Sequence, residues 1–192
     1  MLAEPGVTPE MRRFVGEVAR IVGEGGGERI VTQRVAAGLS ALLRERNVLD
    51  ERHTRPKLDQ YALYPVWIAP RGEFSIAAAV WGVGQVTPIH DHGTWGVIGI
   101  YRGVEHETRY GLVQASGAGP LRRLSERDIR EGEVIVCCTS DQDIHQVSCG
   151  SKIPCVGIHV YGADIGRTER HVYDSRTGAR RTFIAGWAEA DE

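Results

Sequence analysis

The sequence predicts a mainly β protein, a jelly-roll barrel preceded by a helical hairpin, and three observations carry that expectation. From Tyr61 onward, short apolar and β-branched segments alternate with turn residues, the texture of a barrel. The first fifty residues instead repeat apolar side chains at helical spacing. At 192 residues and 42% apolar content the chain fills one good-sized core, so residues 1–50 are expected to pack as helices on a barrel of residues 51–192 within a single domain.

The first helix is expected over residues 9 to 22. Met11, Phe14, Val15, Val18, Ile21 and Val22 share one face, Thr8 supplies the N-cap and Pro9 sits in the first turn, while Gly23 to Gly27 ends it. A second helix runs from about Ile30 to Glu45, with Ile30, Val31, Val35, Ala36, Leu39, Leu42 and Leu43 on its apolar side. Strands are expected at Tyr61–Ala69, Glu73–Val83, Gly96–Tyr101, Val104–Tyr110, Glu133–Cys138, Val147–Cys149 and Pro154–Tyr161. The turn chemistry agrees at Pro70-Arg71-Gly72, Ser116-Gly117-Ala118-Gly119-Pro120 and Arg130-Glu131-Gly132-Glu133.

Composition narrows the function classes. A net charge of -2 with no basic stripe argues against a nucleic-acid partner. No apolar run reaches the roughly 20 residues that span a bilayer, and Glu4, Pro5, Glu10, Arg12 and Arg13 interrupt the start, so no membrane partner and a cytoplasmic setting are expected. Cys137, Cys138, Cys149 and Cys155 lack CxxC spacing and are expected as reduced, buried thiols. No signal for an oligomeric state is present.

One segment carries chemistry: Gly84-Gln-Val-Thr-Pro-Ile-His90-Asp-His92-Gly-Thr-Trp-Gly96, continuing to Gly103. In extended chain, residues two apart share a face, so His90 and His92 project together while Asp91 points away. Two neutral imidazole nitrogens on one face can hold one cation. His145, in Asp143-Ile-His145, is the leading third ligand. Gln85 and Thr87 are candidate supports for the site, and Trp81 and Trp95 are core aromatics first and pocket walls second. His53, His106 and His171 sit in charged surroundings and are expected to be exposed and incidental.

The glycine and histidine spacing resembles the first cupin motif, with Gly96 standing where that motif has a glutamate ligand. The resemblance implies a double-stranded β-helix and three histidines without a carboxylate. Three imidazoles leave the metal's charge uncompensated, which favours an anionic ligand at its open positions. With Phe74-Ser-Ile-Ala-Ala-Ala-Val-Trp-Gly82, Trp95 to Gly103 and His159-Val-Tyr-Gly162 added, the chain is similar to the thiol dioxygenases, and more closely to the bacterial 3-mercaptopropionate branch of the cysteine dioxygenase family.

That resemblance implies Fe(II) on His90, His92 and His145, and oxidation of a small thiol by O2 to a sulfinate. It implies catalytic roles for Tyr161 and His159, with the tyrosine hydroxyl near the iron and the histidine orienting it. It also gives Arg170 the substrate carboxylate, with Arg167 as the alternative, and places Leu63 and Tyr64 at the substrate. Three departures stand out. Leu63 replaces a polar residue, Gly157 replaces the serine of a Ser-His-Tyr relay, and Thr94 to Val97 holds no cysteine to crosslink with Tyr161. An apolar Leu63 disfavours free cysteine, whose ammonium would be left unpaired, and favours a mercapto acid. Two other readings stand beside this one: another divalent metal doing hydrolase or isomerase chemistry, and a non-catalytic cupin that binds a small molecule.

Overall fold

The computed structural model describes residues 6–113, 119–139 and 143–190. Helix α1 spans Pro9–Glu24, with Thr8 Oγ1 accepting from the Met11 N–H and Gly25 closing it at positive φ. Helix α2 spans Glu28–Leu42, beginning two residues earlier and ending three residues sooner than its periodicity predicts. Ile30, assigned to its apolar side, is instead half exposed. A 3-10 turn at Glu51–Thr54 then leads into the barrel and buries His53 beside Tyr64, so the expectation of an exposed His53 is corrected.

Ten strands follow among the described residues: β1 (Ala62–Ile68), β2 (Ser75–Trp81), β3 (Gly96–Arg102), β4 (Val104–Leu112), β5 (Leu121–Arg130), β6 (Val134–Cys137), β7 (His145–Cys149), β8 (Cys155–Tyr161), β9 (Arg170–Tyr173) and β10 (Arg180–Phe183). They form a five-stranded sheet in the order β1-β2-β8-β3-β6, a three-stranded sheet β5-β4-β7 and the hairpin β9-β10, all antiparallel. This is the jelly-roll that the alternating segments predict. Gly72 and Gly132 take positive φ in two of the predicted turns, and residues 116–118 of the third lie outside the described residues.

Strands β5, β9 and β10 carry no apolar alternation, which is why the sequence pattern misses them. β5 reads Leu-Arg-Arg-Leu-Ser-Glu-Arg-Asp-Ile-Arg and is exposed along most of its length, so its pairing with β4 alone defines it.

The five-stranded sheet is covered on both faces. On β2 and β8, Ile76, Ala78, Val80, Val156, Ile158 and Val160 join the core formed with α1 and α2. The alternate residues Ala77, Ala79, Trp81, Cys155 and Tyr161 face the lumen, where Val147 of β7 meets them. Helix α2 lies close on β3, since a Cβ at Gly99 would stand 2.9 Å from Leu39 and Leu43. Among the described residues no helix is long and apolar enough to cross a membrane.

Candidate metal centre

His90 and His92 lie outside the named strands, on a segment stitched between two neighbours. His90 exchanges both backbone hydrogen bonds with His145, at 2.8 and 2.9 Å, and bridges Val172 of β9 on its other side. The extended local backbone puts both imidazoles on one side, and His145 opens β7 opposite them. The three rings are mutually 4.7 to 5.2 Å apart, and one nitrogen from each falls within 4.8 Å of the others. Asp91 points outward and clamps β9: its carboxylate accepts from the His171 backbone N–H (2.8 Å), from His171 Nδ1 (3.0 Å) and from the Tyr173 hydroxyl (2.6 Å). His171 is therefore tied down, contrary to the expectation of a solvated residue. His106 is partly exposed and hydrogen-bonds Asp128.

The tautomers follow from the partners. His90 Nδ1 faces the Pro88 carbonyl at 2.9 Å, and a carbonyl can only accept, so Nδ1 carries the hydrogen. His92 Nδ1 donates to Asp143 (2.7 Å) and His145 Nδ1 to Glu107 (2.8 Å). Each Nε2 is left with a free lone pair, and His145 Nε2 is buried with no hydrogen-bond partner. Burial, reinforced by the neighbouring imidazoles and Arg170, holds His90 and His92 well below the usual imidazole range, so both are neutral at pH 7. Three inward lone pairs backed by hydrogen-bonded Nδ1 groups fit a divalent transition metal.

Asp143 and Glu107 were not foreseen, and they change the charge argument. Burial opposes ionisation of Glu107 but is outweighed by His145 and Arg127, which bring it to about 2. Burial raises the Asp143 carboxyl above its ordinary value, with His145 opposing. A cation held by the histidines therefore meets carboxylate charge one bond further out, and the expected uncompensated charge is corrected in part. A sequence signal existed in the acid two residues before His145 and in Glu105 and Glu107, which share one face of β4.

A narrow cavity is lined by all three histidines, His90, His92 and His145. Leu63, Ala79, Trp81 and Val147 give it apolar walls, while His159, Tyr161 and Arg170 give it polar ones. Arg170 opens β9 and is 3% exposed; its guanidinium lies 5.0 Å from the Phe183 ring, and its Nε has no partner. Among the described residues no carboxylate pairs with it. Arg167 projects into solvent and pairs with Asp164, so the alternative carboxylate binder is not brought to the cavity. Tyr64 is not brought there either. It neighbours Leu63 on β1 and so points to the opposite face, where its hydroxyl donates to the Arg55 carbonyl.

His159 Nδ1 and the Tyr161 hydroxyl are 2.9 Å apart, and burial pushes the Tyr161 phenol far up, so it keeps its hydrogen. Thr87 lines the cavity and accepts from the Val147 N–H, whereas Gln85 holds the Gly82 turn away from it. Trp81 is a wall, and Trp95 packs against Gly162 in the helix-facing core. All four cysteines are free, Cys138 and Cys155 buried, Cys137 and Cys149 only partly so. Thr94 to Val97 holds no cysteine, yet Cys137 of β6 comes across from the neighbouring strand, its Sγ crowding Gly96 from one side as the Tyr161 ring does from another.

No family model matches the chain. Among solved structures it is similar to a Thermus thermophilus protein at 19% identity, covering 59% of this chain and 92% of that one, with a TM-score of 0.45. A Klebsiella pneumoniae protein with a double-stranded β-helix domain matches at 13%, covering 62% and 92%, with a TM-score of 0.47. A cupin 2 conserved barrel protein of Salinispora arenicola matches at 17%, covering 61% and 87%, with a TM-score of 0.42. All three are of low identity. They carry no argument about chemistry, which rests on the residues above.

Proposed function

We propose that the protein is a non-haem Fe(II) thiol dioxygenase that converts a small mercapto acid and O2 to the sulfinic acid. The observation that carries this reading is a three-imidazole donor set facing the same narrow cavity as a buried guanidinium with no carboxylate partner among the described residues. His90, His92 and His145 would hold the iron through Nε2. Bound iron supplies open positions for thiolate and O2 and a path for electrons between them. The reaction balances without a further reductant: sulfur gives up four electrons, and both oxygen atoms end on it.

Arg170 pairs with the substrate carboxylate, because a guanidinium makes two parallel charge-assisted bonds and keeps its charge at every relevant pH. Leu63, Ala79, Trp81 and Val147 exclude water around the short chain between acid and thiol. Among the described residues no acid lines the cavity to receive an ammonium, which favours a mercapto acid such as 3-mercaptopropionate over cysteine.

Anaerobic reconstitution with Fe(II), followed by oxygen-uptake assays on 3-mercaptopropionate, cysteine and 2-mercaptoethanol, tests the proposal. Uptake is expected to be fastest with the mercapto acid and to yield one sulfinate per O2. A fully iron-loaded protein that consumes no O2 with any thiol would overturn it.

A further inference from the structure

Glu105 is 1% exposed, and no lysine or arginine pairs with it among the described residues. It reaches from β4 across the lumen to β8, where its Oε1 stands 3.4 Å from His159 Nε2 and its carboxylate neighbours the Cys155 thiol. Burial raises that thiol far above its usual range, so its hydrogen stays on sulfur. The carboxylate therefore has the His159 ring within reach and, among the described residues, faces no lysine or arginine.

The backbone beneath it is shaped to admit it. A Cβ at Gly157 would collide with Glu105 Oε1 and would stand 2.5 Å from His159 Nε2 and 2.8 Å from His159 Cδ2. Any side chain at residue 157 would thus occupy the space that the carboxylate and the ring share. The missing hydroxyl at Gly157 and the presence of Glu105 are one structural fact.

We propose that Glu105 is the positioning residue of a Glu105, His159, Tyr161 chain, holding His159 as the tautomer with hydrogen on Nε2 so that Nδ1 accepts the Tyr161 hydroxyl hydrogen. A base oriented by a buried acid through its far nitrogen is the general logic of activated nucleophile and base pairs. Its consequence is a defined route for the proton that a thiol must shed in the cavity. The proton passes from sulfur to Tyr161 Oη as the tyrosine's own proton moves to His159 Nδ1, and the resulting imidazolium rests against the Glu105 carboxylate. A neutral hydroxyl offers that imidazolium no opposite charge.

The activity arm rests on the thiol dioxygenase reading, whereas the tautomer is measurable without it. Long-range proton–nitrogen correlation spectra of the zinc-loaded, histidine-labelled full chain are expected to show His159 with hydrogen on Nε2 and bare Nδ1. Glu105→Gln keeps the shape and removes the charge: the Nε2–H resonance is expected to move upfield, and kcat for thiol-dependent O2 uptake to fall about 10- to 100-fold with KM nearly unchanged, the usual size for a group behind the reacting shell. Bare Nε2 in the parent protein, or a Glu105→Gln variant with unaltered His159 resonances, would overturn the proposal whether or not any thiol is turned over. If no thiol is oxidised yet the tautomer responds to Glu105→Gln, the chain stands and only the reaction class falls.

Discussion

Arg170→Met separates what the guanidinium does for a substrate from what it costs the protein. In the folded chain the side chain is 3% exposed, its Nε lacks a partner, and no carboxylate pairs with it among the described residues. Two charge-assisted hydrogen bonds to a substrate carboxylate contribute roughly 1.5–3 kcal/mol each. Their loss should lower kcat/KM for a mercapto acid by about two to four orders of magnitude, at ~1.4 kcal/mol per tenfold. A neutral thiol such as 2-mercaptoethanol makes no such bonds, and its rate should change by less than about threefold. Stability should move the other way. Removing an uncompensated buried donor returns about 1–3 kcal/mol, and the lost stacking on Phe183 takes back roughly 0.5–1 kcal/mol. The metal-free variant is therefore expected to unfold at a higher urea concentration than its parent. Oxygen uptake on both thiols and urea titrations give the two readings. Equal losses for acid and neutral thiol, or a variant destabilised by more than ~1 kcal/mol, would refute the reasoning.

Glu107→Gln leaves His145 without its anionic partner, and zinc competition titrations should find metal affinity weakened about 10- to 100-fold with the fold intact by circular dichroism. In the metal-free protein, His53, His90 and His92 are all held below the ordinary imidazole value by burial. Unfolded imidazoles titrate near ~6.5, so burying them neutral contributes stability that is present above about pH 6.5 and lost as pH falls toward the lower folded values. Urea midpoints should drop between pH 7.5 and 5, and His53→Leu should flatten part of that slope; a midpoint independent of pH counts against the burial argument. Gly99→Ala drives a methyl to 2.9 Å from Leu39 and Leu43 and should cost about 1–3 kcal/mol in denaturant unfolding with zinc affinity unchanged. A neutral result would mean that α2 rides loosely on β3.

Much of the fold was legible in the letters because burial imposes periodicity. Seven of the strands and both helices sit on apolar faces, and those faces show in the spacing of residues such as Val15, Val18, Ile76, Ala78 and Val80. The rest was silent for an equally physical reason. β5 is an exposed edge, and β9 and β10 are four-residue pieces defined by their partners, so nothing in their own residues favours extended chain over loop.

For the site, local chemistry fixed a shared face: two histidines two apart in extended backbone must share a side, and that needs no knowledge of the rest of the chain. What tertiary structure alone decided was company. Asp143 and Glu107 stand behind the imidazoles, Tyr64 faces the helices while Leu63 faces the cavity, Arg170 rather than Arg167 is drawn inward, and Glu105 crosses the barrel to fill the space over Gly157. These relations join residues tens of positions apart through the closure of two sheets, and pattern along a chain encodes which face a residue takes but not what waits on the other side.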